Sequence, residues 1–204
     1  MTTAEGTTTL LSTTAKSSTT IKNPTTTTAE LRSSTTTTTT AEPGSTTTTT
    51  IEAVCQSGAT AIIFDDISSS DPVEAELPTN YAGLSWTNGY YISINTNPGS
   101  GYRYAVASGI YVGWSKGPLI MQTISANSTM TFVSCVMAAG WWDSIQMTIT
   151  GYYSNTQFYT ATYSLNTYTQ TSVVLNWSGI NEIIFTPSTS GYPDFGIDNL
   201  CIIF

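Results

Sequence analysis

Apolar and polar residues alternate through the second half of the chain. "SIQMTIT" puts Ile145, Met147 and Ile149 on one side and Gln146, Thr148 and Thr150 on the other. "FYTATYSL" sets Tyr159, Ala161, Tyr163 and Leu165 against Phe158, Thr160, Thr162 and Ser164. "YISIN" divides Tyr91 and Ser93 from Ile92 and Ile94, and "SVVLNW" offers Val173, Leu175 and Trp177. A period of two marks a half-buried strand, because successive side chains point to opposite faces. The segments "AIIFDDI", "YRYAVA", "PLIMQTI", "MTFVSCVM", "EIIF" and "GIDNLCIIF" bring the total to roughly ten short strands. Turn signals separate them, among them Asn88-Gly89, Pro98-Gly99, Gly117-Pro118 and Ser190-Gly191. No long stretch repeats at helical spacing. The pattern predicts an all-β fold, an antiparallel β-sandwich of the jelly-roll type.

The alternation is absent from residues 1–50, which contain 24 threonines, six serines and no aromatic residue. So little large apolar surface cannot offset the entropy of ordering the chain. The expected division is therefore a disordered Thr/Ser-rich segment over 1–50 and a sandwich domain over 51–204. The latter is long enough to bury a full core. "TTTTAE", "TTTTTTAE" and "TTTTTIEA" recur loosely in the leader. With occasional proline, this is the composition of an O-glycosylated, mucin-like stalk, with an unmodified linker as the alternative.

At "GWWDS" the alternation of "SIQMTIT" meets Trp141 and Trp142 side by side. Counted back from Ile145 by twos, Trp141 faces inward and Trp142 outward. Gly140 and Asp143 signal a loop or bulge that breaks the count. Two readings stand: both rings plug the end of the sandwich core, or they form an exposed platform for a sugar ring.

Charge separates at the same boundary. The net charge is −8, and there is no histidine. Residues 1–50 are balanced, whereas the rest carries ten carboxylates against Arg103 and Lys116. Two basic side chains cannot neutralise a run of phosphates, which argues against nucleic acid and anionic membrane surfaces as partners. No apolar run of about 20 residues is present to span a membrane. "MTTAEGTTTLLSTTAK" lacks the basic start and continuous apolar stretch of a signal peptide, although the composition points outside the cell. The expectation is an extracellular or surface protein whose N-terminus is incomplete here. Of three cysteines, Cys55 opens the domain and Cys201 lies in its last strand, so Cys55–Cys201 is the preferred bridge. Cys135, mid-strand, reads as a buried thiol, although spacing alone leaves the connectivity open.

The blocks "IIFDDI", "YAGLSWTNGYYI", "SGIYVGW", "TFVSCVMAAGWWDSIQMTITGYY", "NWSGINEIIFTPS" and "FGIDNLCIIF" occur in that order. Over residues 61–204 they resemble secreted jelly-roll modules of fungal cell-surface proteins and of bacterial exported proteins with sorting tails. That family has no established activity. The resemblance implies a sandwich of galactose-binding-like architecture and export, and it leaves the function open.

Candidate chemistry is sparse. Without histidine no Ser-His-Asp or Cys-His arrangement exists, and zinc lacks a ligand set. Paired carboxylates from Asp143, Glu182 and Asp194 are the only route to a glycosidase, and a non-catalytic domain is expected instead. Asp65, Asp66, Asp198 and Asn199 would meet if the first and last strands were antiparallel neighbours. Together they begin an oxygen-ligand set for a structural calcium; the alternative is that they form turn hydrogen bonds. Trp86, Trp114, Trp142, Tyr102 and Tyr192 lie near turns and are candidate stacking surfaces for sugars, with Asn88, Arg103 and Asp194 as hydrogen-bonding neighbours. For any one of these rings, core packing is the alternative. Asn127 ("NST") and Asn176 ("NWS") fit N-glycan acceptor patterns. These readings converge on a secreted adhesive module that binds glycans or extracellular matrix components. The rivals are a purely structural coat component and a carboxylate-based glycosidase.

Overall fold

The computed structural model describes residues 55–71, 73–188 and 193–204. The expectations for residues 1–50, and for Tyr192, lie outside the described residues. Twelve strands form within them: β1 (Thr60–Ile62), β2 (Glu74–Glu76), β3 (Leu84–Thr87), β4 (Tyr90–Ser93), β5 (Tyr111–Ser115), β6 (Leu119–Thr123), β7 (Met130–Ala139), β8 (Ile145–Tyr153), β9 (Thr156–Leu165), β10 (Thr171–Ile180), β11 (Glu182–Pro187) and β12 (Phe195–Ile203). One sheet runs β10-β7-β12-β5-β4-β2, with β1 also paired to β12. The other runs β3-β6-β11-β8-β9. All pairings are antiparallel, and from β7 to β12 the chain passes repeatedly from one sheet to the other. This is the antiparallel jelly-roll sandwich that the alternation predicts.

The alternation sorts the side chains as expected. Ile145, Met147 and Ile149 are buried between the sheets, with Leu165 of β9 and Val173 of β10. The closing strand needs one irregularity. Phe195 and Ile197 face the core, and so do Leu200 and Ile202, a change of parity. The ladder is interrupted between Asp198 and Cys201, and Asn199 adopts φ 50°, so one extra residue is absorbed as a bulge.

"YRYAVA", which reads as a strand in the sequence, instead contains a one-turn helix, α1 (Tyr102–Ala105). It lies in the connection from β4 to β5 and packs against β7 and β12 on the outer face of the larger sheet. There Tyr102 and Ala105 form a second apolar cluster with Ile92, Val112, Trp114 and Ala138. The larger sheet is thus covered on both faces, and eight of the nine residues of β12 are buried, Asp198 among them.

Cys55 and Cys201 form a disulfide, Cα–Cα 5.4 Å, closing the start of the domain onto its last strand. Cys135 is free and buried, and desolvation raises its thiol pKa well above the ordinary range.

Candidate functional site

The first and last strands are antiparallel neighbours, with Ala61 opposite Cys201. Of the four residues proposed as calcium ligands, Asp198 and Asp65 grip one connection, both bonding Ser108, while Asp66 is engaged elsewhere. Asp198 is fully buried on the outer face of the larger sheet. Its Oδ2 accepts the Ala107 and Ser108 N–H groups at 2.8 and 3.1 Å, and its Oδ1 accepts the Asn199 N–H at 2.7 Å. Asp65 grips the same connection further along, accepting the Ile110 and Tyr111 N–H groups at 2.8 and 3.2 Å and the Ser108 hydroxyl at 3.1 Å. Gly109, between these contacts, adopts φ 51°, and a Cβ there would fall 1.9 Å from Asp65 Oδ1, so only glycine fits. Asp66 turns away and accepts the Tyr81 hydroxyl at 2.7 Å. Among the described residues, no group of three or more His, Cys, Asp or Glu side chains could hold a metal ion. In the structure the aspartates hold loops by accepting N–H and O–H groups, as in the turn-bonding alternative. Burial raises the Asp198 pKa to about 7 against the pull of its three N–H donors, with the Asp65 carboxylate adding to the rise.

Three of the proposed stacking residues are packing residues. Tyr102 is 2% exposed and Trp114 8%. They pack against one another at 6.1 Å, and Trp114 also packs on Tyr90 at 5.0 Å, under the connection that carries α1. Turn-side position misleads here because the turn folds back over the sheet and covers its own aromatics. Trp86 is half-buried on the inner side of β3, where its indole N–H donates to the Tyr81 carbonyl at 2.9 Å and its ring packs on Phe64. Of their expected polar neighbours, Asn88 donates to the Pro118 carbonyl and Arg103 to that of Ser100.

The Trp141-Trp142 pair is different. Trp141 is 46% and Trp142 50% exposed. The inward count for Trp141 fails because Asp143 and Ser144 form a turn, with Ser144 at φ 63°, before β8 begins. The loop between β7 and β8 is held from several sides. The Gly140 N–H donates to the Asp194 carbonyl, and the Gly140 carbonyl accepts from the Gly101 N–H, both at 2.7 Å. Asp143 Oδ1 accepts the Thr167 N–H at 2.8 Å and the Thr167 hydroxyl at 2.7 Å. Those two bonds hold its pKa below the ordinary aspartate value. The Ser144 N–H donates to Asn166 Oδ1 at 3.3 Å. Gly140 lies flat on Tyr102, where a Cβ would come within 2.8 Å of the ring. Trp141 stands edge-on to that ring, 6.4 Å between centroids.

Thr167 belongs to the loop between β9 and β10, and its neighbour Tyr168 is 58% exposed. The Asp143–Thr167 bonds therefore tie a loop bearing two half-exposed indoles to one bearing an exposed phenol. Sequence reasoning found Trp142 and missed Tyr168; the turn-rich "NTYTQ" between two alternating strands was the available signal. Asp194, whose carbonyl anchors Gly140, is partly buried, and desolvation raises its carboxyl pKa. Glu182 lies elsewhere. It pairs with Tyr152 near the far end of β8 and bonds Gln122, roughly 20 Å along the strand from Ile145 at ordinary strand rise. Asp143 and Glu182 are thus too far apart to act as a glycosidase pair. The acceptor asparagines are both exposed, Asn127 in the loop before β7 and Asn176 at a break in the β10 ladder.

No family model matches this chain, and no curated protein matches it. Among solved structures it is similar to TmCBM61 in complex with beta-1,4-galactotriose, at 8% identity and TM-score 0.36, over 60% of this chain and 89% of that one. It is also similar to a Family 16 Carbohydrate Binding Module-2, at 10% identity and TM-score 0.33, over 61% and 89% of the two chains.

Proposed function

We propose that residues 51–204 form a non-catalytic carbohydrate-binding module of a secreted or surface-displayed adhesive protein. The observation that carries this reading is the pair of half-exposed indoles on a loop fixed by Asp143, Gly140 and the Tyr102 ring. Exposed aromatic surface of this size is a feature of binding surfaces. Flat rings offer a large contact area to the C–H faces of a sugar and lose little rotamer freedom in doing so. Fixing the loop beforehand lowers the ordering cost of binding. Asn166, Thr167 and Asp143 stand beside the rings as hydrogen-bonding groups for hydroxyls.

The test is a glycan array or polysaccharide pull-down with the full chain, comparing wild type with Trp141→Ala and Trp142→Ala. Loss of retention at an unchanged melting temperature supports the proposal. Absence of binding across a broad panel overturns it in favour of a structural coat or matrix role. The glycosidase reading would need Asp143 and Asp194 as its carboxylate pair, although the carboxyl of Asp194 is influenced by its burial, Lys116 and Glu74 rather than by Asp143. Release of reducing ends from a polysaccharide, abolished by Asp194→Asn, would establish it.

A further inference from the structure

The sandwich has unequal sheet edges. β2 is three residues long and carries Glu74 and Glu76, which repel a second copy. β3 has only four residues. β10 has ten, but its ladder to β7 is broken twice, with Asn176 at φ 53° and Gly179 at φ 71°. Its flank is also engaged by β9, since the Tyr159 hydroxyl donates to the Ser178 carbonyl at 3.2 Å.

β9 shares that flank contact and carries one ladder irregularity at Phe158, but from Tyr159 to Leu165 its ladder to β8 is unbroken. "TQFYTATYSL" is ten residues long without charge, proline or glycine, and it pairs with β8 alone. Its side chains are rich in the aromatic and β-branched types that favour strand pairing, and Phe158 is 60% exposed. Charge points the same way. From Ser144 to Asn181, the span that forms β8, β9 and β10, there is no Asp, Glu, Lys or Arg. In a domain whose net charge is −8, this is the flank by which two copies approach without opposing carboxylates. An antiparallel strand edge presents both N–H and C=O groups, so it is complementary to itself about a twofold axis.

We propose that β9 is a homotypic docking edge that pairs antiparallel with β9 of a second copy, joining two five-stranded sheets into one of ten. The Leu165 end of β9 leads into the loop tied to Trp141 and Trp142, so antiparallel pairing points the two aromatic loops in opposite directions. A dimer of this kind can bridge two surfaces. The pairing itself does not depend on what the aromatic loop binds.

The test is sedimentation velocity of the full chain over a concentration series, with amide hydrogen exchange at the lowest and highest concentrations. The expected result is a reversible monomer–dimer equilibrium in which β9 amides become protected as concentration rises. Thr160→Lys/Thr162→Lys, on exposed positions of β9, should raise the dissociation constant at least ten-fold at an unchanged melting temperature. A monomer at every concentration overturns the proposal, as does a dimer indifferent to the lysines. Protection of β9 amides independent of concentration also overturns it, because the edge is then covered within one chain. The exchange measurement needs no variant, so it decides even where the lysines impair folding.

Discussion

Two aspartate clamps hold loops in this domain by the same chemistry in different surroundings. Asp198 accepts three backbone N–H groups from inside the layer under α1, fully buried. Asp143 accepts the Thr167 N–H and hydroxyl at the exposed end of the sandwich. Water can replace Asp143 for its partners, whereas nothing can replace Asp198 for the buried Ala107 amide. The same hydrogen bond is therefore a matter of stability in one place and of loop order in the other. Burial pushes the Asp198 pKa up to about 7, while the exposed Asp143 is held below its ordinary value by its donors.

The largest effect expected is that of Asp198→Ala, which strands the Ala107, Ser108 and Asn199 donors. A loss of roughly 3–5 kcal/mol is expected, from about 1–3 kcal/mol per orphaned buried group without full additivity. Urea denaturation measures it, and a loss below 1 kcal/mol would remove the contrast between the clamps.

Next is the pH response. A carboxyl whose folded pKa stands above its unfolded value is protonated more readily when folded. Its contribution is greatest below the unfolded value of 3.8 and is lost as pH rises through about 7. The melting temperature should therefore fall between about pH 4 and 7, by an amount on the order of a few kcal/mol in stability, and Asp198→Asn should flatten that slope. Asp143 has the opposite sign. Its clamp is intact above the ordinary aspartate range and is lost as pH falls through its lowered pKa. Acidification should thus relieve the charge buried at Asp198 while it releases the Asp143 clamp, and a melting curve that rises steadily from about pH 4 to 7 would contradict this.

The smallest expected effect on stability is that of Asp143→Ala. The melting temperature should stay within a degree or two, while glycan retention weakens several-fold, because the loop must be ordered on binding. A fall comparable to that of Asp198→Ala would make Asp143 a folding residue and erase the distinction.

The strands and their inward faces were legible from alternation alone. In β8 and β9 each buried side chain is two residues from the next, and no other contact is needed to assign its face. The bridge partners were readable as the cysteine that opens the domain and the one in its last strand. The roles of the aromatic residues were not. Trp114 and Trp142 are both tryptophans beside turns, yet one is covered by α1 and the other stands on a loop. Asp198 and Asp143 likewise look equivalent in the sequence, each between a large apolar residue and a small polar one.

The physical reason is range. A strand's face is set by the geometry of consecutive residues, so a period of two determines it locally. Exposure, pKa and the availability of an edge depend on what distant segments place over a residue. Tyr102 comes to lie under Trp141 across some forty positions, and Ala107 above Asp198 across 91. The sequence by itself determined a two-sheet β-sandwich and which residues fill it. Only the tertiary structure decided which tryptophans reach solvent, which carboxylates hold loops together, and that β9 lies at the end of its sheet.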